Sequence, residues 1–185
     1  MRSRSDDTSD VSSTPDDSSA VPSGRAALVL RVALYLALVL GLSNLLLVEA
    51  VDQHLLAHVR NAIAYLAAHV LAPFREGVYA DGERVFVGGA AVEIVNGCTG
   101  VDVAIFLSSA MLVFPAPWRA RLFGVAAAFA IVLVTNFARV LTLCVLNASS
   151  PAAFELVHVY VWPASISLVC LATLLGWIRL ATAPP

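Results

Sequence analysis

The chain contains no lysine: all eleven of its basic residues are arginine. That suggests a GC-rich or halophilic source and carries no mechanistic information. Charge of either sign is scarce, at 13% of 185 residues against 59% hydrophobic. A soluble domain of this length needs more polar surface, so a membrane-embedded protein is expected. Cysteine is scarce as well. Three thiols make no even disulfide framework, and no Cys-x-x-Cys pair exists. Cys144 and Cys170 fall inside apolar runs, where a thiol ordinarily serves packing. There is no internal repeat, and no cofactor, metal or nucleic-acid partner is expected.

What the chain has is long apolar runs. A helix needs about 20 apolar residues to cross the hydrocarbon core. Four segments answer to that: Ala26 to Ala50, Val101 to Phe114 extended by its flanks, Leu122 to Leu146, and Val159 to Leu180. In a weaker stretch, Leu55, Val59, Ile63, Leu66 and Val70 recur at three- and four-residue steps, which gives an amphipathic helix. Arg60 would be costly at the bilayer centre, so this helix is expected in the interface. His54, His58 and His69 on it are read as interfacial polarity rather than a metal site. Residues 1–24 are rich in Ser, Asp, Thr and Pro, with five Asp. They read as a disordered cytoplasmic tail and not as a cleavable signal peptide. Residues 25–185 form the membrane domain. The expected fold is an all-α integral membrane bundle of about four to five transmembrane helices, with an interfacial amphipathic helix and a short extracellular hairpin. The hairpin falls between Glu76 and Ile94, where Arg84-Val85-Phe86-Val87 precedes Gly88-Gly89.

Arginines set the orientation, because short cytoplasmic loops keep positive charge. Arg25, Arg31, Arg119, Arg121 and Arg179 belong inside, in a plasma or inner membrane. Cys98, the Asn147–Val157 loop and His158 then belong outside. Asn147-Ala148-Ser149 matches an N-glycosylation acceptor in that loop. Arg139 is eight residues before Asn147, roughly 12 Å below the outer end at ~1.5 Å per residue. Antiparallel packing therefore brings Cys98, Arg139 and His158 to one depth.

Those three side chains have a common chemistry. Only a thiolate attacks well, and a free thiol titrates near about 8.5. An imidazole takes the proton, a cation stabilises the thiolate, and Arg139 stays charged at any relevant pH. The same guanidinium suits an oxyanion, and His158 suits protonation of a leaving amine. Glycines at 97 and 100 free the backbone around Cys98 for a substrate chain. Asn136, one turn before Arg139, suits holding the guanidinium or the substrate backbone. Asp102, one turn after Cys98, suits orienting His158, pairing with Arg139, or simply meeting the helix dipole.

Cys98-Thr99-Gly100 at a helix start, Asn136-Phe137-Ala138-Arg139 inside the next helix and His158 opening a later one resemble the exosortase/archaeosortase family. The resemblance covers roughly Val92 to Trp177, and the wording is most similar to the short form of exosortase. Many larger members have serine at the position of Thr99, and a glycine at that of Trp162. The resemblance implies an integral membrane cysteine transpeptidase or thiol protease with Cys98, Arg139 and His158 catalytic. Its substrates would be surface proteins ending in a short motif, one transmembrane helix and a basic cluster. Cleavage would pass through a thioester, with transfer to a lipid amine or another surface acceptor, or to water. A substrate helix would dock laterally, for which Ala126, Ala127, Ala128 and Ala130 offer a small-residue face. Two other classes compete. One is a non-catalytic assembly factor with a structural Arg139–Asp102 pair, which tolerates Cys98→Ser. The other is a membrane thiol oxidoreductase, which requires a second thiol beside Cys98.

Overall fold

A computed structural model describes residues 24–46 and 48–183. The tail expected at 1–24 lies outside them, Gly24 excepted. The chain is an all-α membrane protein with one small sheet. Helix α1 (Gly24–Leu46) is apolar all round and buries no side chain in the molecule, as suits a lipid-facing span. A single turn, α2 (Glu49–Val51), leads into a π-turn at Asp52–Leu56 and helix α3 (Ala57–Leu71). Strands β1 (Tyr79–Asp81), β2 (Arg84–Val87) and β3 (Ala90–Glu93) follow. Helix α4 (Val101–Val113) comes next, then α5 (Trp118–Ser149), a short α6 (Pro151–Leu156), a π-turn at Val157–Val161, and α7 (Trp162–Thr182). Among the described residues, three helical stretches are long and apolar enough to cross a membrane: Gly24–Leu46, Trp118–Ser149 and Pro151–Thr182.

The remaining expected span is α4, whose 13 residues rise only ~20 Å. It packs in the middle, between α1 and α5 and touching α7. Tyr35 of α1 meets Phe106 of α4 edge-on at 5.6 Å. The buried stripe of α5 runs Gly124, Ala128, Val132, Asn136 and Val140 at four-residue steps, and ends on Leu143 and Cys144. Ala128 of the small-residue face thus packs inside the bundle, while Ala126 and Ala130 are exposed.

Two cores are stacked along α5. At one end Ala104, Leu107, Met111, Ala128 and Val132 gather with Trp177. Trp177 Nε1 donates to the Ala120 carbonyl at 2.9 Å, and Phe114 meets its ring edge-on. The first helical turn of α5, bearing Arg119 and Arg121, the Arg31 region of α1 and the end of α7 are therefore neighbours. The other core joins α3 and the sheet to the far half of α5, through Ala64, Ala67, Val85, Ile94, Val140 and Cys144.

One expectation is corrected here and two are made more specific. On α3, Leu55 and Leu66 of the apolar stripe are exposed, while Arg60, Ala64, Ala67, Ala68 and Leu71 are buried. Lipid tails are as apolar as leucine, so small residues take the protein contact and large ones face outward. The expected hairpin is present as β2–β3, and β1 extends it into a three-stranded antiparallel meander with two-residue turns at Gly82-Glu83 and Gly88-Gly89. Both Gly88 and Gly89 have positive φ, as the tight primed turn requires. Finally, there is no Asn147–Val157 loop. Helix α5 continues to Ser149, and one extended residue, Ser150, joins it to Pro151 at the start of α6. Proline there forfeits an N–H that would be unpaired anyway.

Candidate active site

The segment Asn96–Gly100 is a tight turn built from its own backbone. Cys98 N–H donates to the Val95 carbonyl at 2.8 Å, and Thr99 donates to the Asn96 carbonyl from both N–H (3.0 Å) and Oγ1 (2.8 Å). Gly100 closes the turn at φ +76°. A Cβ at Gly100 would stand 3.0 Å from the Asn136 Cβ, so glycine is demanded by conformation and by space.

Helix α5 grips this turn through two side chains one helical turn apart. Asn136, itself buried, donates from Nδ2 to the Cys98 carbonyl. Arg139 donates from Nη1 to the Gly97 carbonyl at 3.3 Å. Among the described residues, the buried Nε–H of Arg139 has no hydrogen-bond partner. Its guanidinium therefore has donor capacity beyond what the turn uses.

Cys98, Arg139 and His158 line one open cavity of about 540 Å³, together with Asn147, Phe154 and strand β3. All three side chains are half-buried. His158 does not open a helix. It sits in the π-turn, seven residues into a continuous helical stretch that begins at Pro151, with the Phe154 ring 5.4 Å away. A π-turn widens a helix locally, and such turns are frequent at functional sites. Asn147, expected in a loop, instead donates from Nδ2 to the Ala91 carbonyl of β3 at 3.1 Å.

Asp102 stands elsewhere. It lines two other hollows, one between α4 and α7 and one beside Leu46 and Leu56. Among the described residues its carboxylate makes no ion pair with Arg139. The Arg139–Asp102 pair of the assembly-factor reading is thus not formed. Glu155 is exposed on α6. Among the described residues no group of three or more His, Cys, Asp or Glu is arranged to hold a metal ion.

The sequence reading missed the second grip on the turn. Arg60, 8% exposed, pairs from Nη1 with Asp52 and from Nη2 with Glu83, each at 2.8 Å. Its Nη1 also donates to Asn96 Oδ1, and Asn96 Nδ2 donates to Asp52 at 2.8 Å. Hydrogen bonds from Arg60 and then Asn96 hold the Asp52 carboxyl below its ordinary range. The network ties α3, the preceding π-turn and the β1–β2 turn to the residue two before Cys98. The signal was available: an arginine in an apolar helix demands a partner, and Asp52 lies two turns earlier.

A family model described as a transmembrane exosortase matches residues 22–178, most of the chain. The chain belongs to the transmembrane exosortase family. No curated protein and no solved structure matches it. At the coarse level this exosortase has a membrane transpeptidase-like function, of the cysteine peptidase or transpeptidase kind. The matched span takes in α1, the Arg60 network, the Cys98 turn, Arg139 and His158.

Proposed function

We propose that this exosortase cleaves exported surface proteins that end in a short motif, a single transmembrane helix and a basic tail, on the extracytoplasmic side of the plasma membrane. One observation carries the assignment of its residues: Cys98, Arg139 and His158 line a single cavity. His158 takes the proton of the Cys98 thiol, and Sγ attacks the scissile carbonyl. The carbon–sulfur bond forms while Arg139 stabilises the oxyanion. The peptide C–N bond then breaks, and His158 returns the proton to the leaving amine. An acceptor amine or water attacks the thioester, and Cys98 leaves as a thiol. Asn136 and the Arg60 network are positioning residues that fix the turn carrying Cys98.

The test is processing of such a surface protein in membranes holding equal amounts of each variant. Cys98→Ala is expected to abolish the size shift, and Arg139→Ala to reduce it at least a hundredfold, the usual cost of one oxyanion donor being about 10²–10³. Hydroxylamine should release a cleaved product from wild type through the thioester. Processing by Cys98→Ala at the wild-type rate would remove the nucleophile assignment.

A further inference from the structure

Strand β3 is an outer strand of the sheet and, among the described residues, pairs with β2 on one side only. Its register gives the direction of every backbone group on it. Ile94 N–H donates to the Glu83 carbonyl at 2.8 Å, so the facing pairs Val92–Val85 and Ala90–Val87 exchange ladder hydrogen bonds. Ala91 and Glu93 alternate with them and direct N–H and C=O away from β2. That edge borders the cavity, whose lining includes Ala91, Val92, Glu93 and Val95 together with Arg139, Asn147 and His158. One hydrogen bond already meets the edge: Asn147 Nδ2 of α5 donates to the Ala91 carbonyl. The chain then leaves β3 and arrives at Cys98 five residues after Glu93.

We propose that β3 is the docking strand for substrate: an extended peptide segment flanking the scissile bond pairs with its edge as a fourth strand, ending at Cys98. This rests on the cysteine transpeptidase reading and names how its substrate is held. Only an extended backbone matches donors and acceptors spaced two residues apart along an edge. From Ala91 to Val95 that edge runs ~13 Å at about 3.3 Å per residue, the reach of four or five substrate residues. The cavity volume of about 540 Å³ falls within the roughly 300–1,000 Å³ range of ligand sites. Recognition through main-chain groups leaves side-chain selectivity to alternate positions facing the cavity wall. The Asn147 amide is placed to bond the incoming backbone once Ala91 has changed partner.

Two proline variants test this in the full-length protein. Ala91→Pro removes an N–H directed at the cavity and no ladder bond. Ala80→Pro makes the same change on the far edge of the sheet, because Ala80 alternates with the bonded pairs of β1 and β2. Ala91→Pro is expected to slow processing roughly fivefold to tenfold, the worth of one backbone hydrogen bond, while iodoacetamide alkylates Cys98 within twofold of the wild-type rate. Ala80→Pro is expected to process normally. Should Ala91→Pro fail to accumulate, the probe becomes a synthetic peptide spanning the cleavage site, N-methylated at one residue at a time. Turnover by wild type should then fall at alternate residues. Normal processing by Ala91→Pro, or a methylation profile without a two-residue period, overturns the docking strand. Processing that does not depend on Cys98 would instead fault the cysteine reading itself.

Discussion

Gly100 carries two constraints at one position: a left-handed backbone and an α-carbon pressed toward Asn136. Gly100→Ala should cost about 2–4 kcal/mol, adding the left-handed penalty to overpacking. It should lower the melting temperature in detergent and change the alkylation rate of Cys98. The Arg60 network has a pH signature whose sign follows from Asp52. Its carboxyl is depressed in the folded protein, so its contribution is complete above the ordinary carboxylate value near about 3.9 and fades as pH falls through the lowered folded value. Thermal melting between pH 6 and pH 2.5 should therefore show an acid-side loss that Asp52→Asn flattens. An unchanged acid limb would dissociate Asp52 from stability. At this scale much of the candidate site was legible. Cys98, Arg139 and His158 stood out because thiols, cations and imidazoles are rare in apolar runs, and one cavity holds all three. Of the roles open to Asp102, the pairing with Arg139 is not formed among the described residues, which leaves the helix dipole as the simplest account. A helix carries such a side chain around to another face.

At the scale of elements, length and composition exposed the spans, while facing and termini depended on partners that no local pattern encodes. The stripe on α3 was periodic enough to find the helix. Which small residues would take the protein contact was not readable from the period alone. Ser150 and Pro151 read as loop, yet Pro151 begins a helix and one extended residue turns the chain. Helix α5 depends on contact made at a distance in sequence. A Cβ on Gly124 would fall 2.3 Å from Trp177 Nε1. Gly124→Ala should therefore part α5 from α7, at an overpacking cost of about 1–3 kcal/mol. A fall in melting temperature with Cys98 alkylation unchanged is the expected result, since Trp177 and Cys98 belong to separate cores. Equal stability would mean that the tryptophan moves aside freely.

At the scale of the whole molecule, the two stacked cores divide the labour. The one around Trp177 holds the spans together near the arginine-bearing ends. The other seats the sheet and α3 against α5 and carries the Cys98 turn between them. The membrane class and the presence of a bundle were open in the composition. The sheet's role was not, because four-residue strands have too little periodicity to announce what they border. The shortness of α4 has a consequence of its own. Its ~20 Å falls well below the ~30 Å hydrocarbon thickness, whereas α5 rises ~48 Å. The Cys98 turn leads into this short element, between longer neighbours. A span this short is accommodated by a thinned bilayer or by water reaching the turn. Under the proposed function, bilayer thickness is therefore expected to set access to the sulfur: thinner membranes should bring the headgroup region closer to it, and thicker ones should cover it.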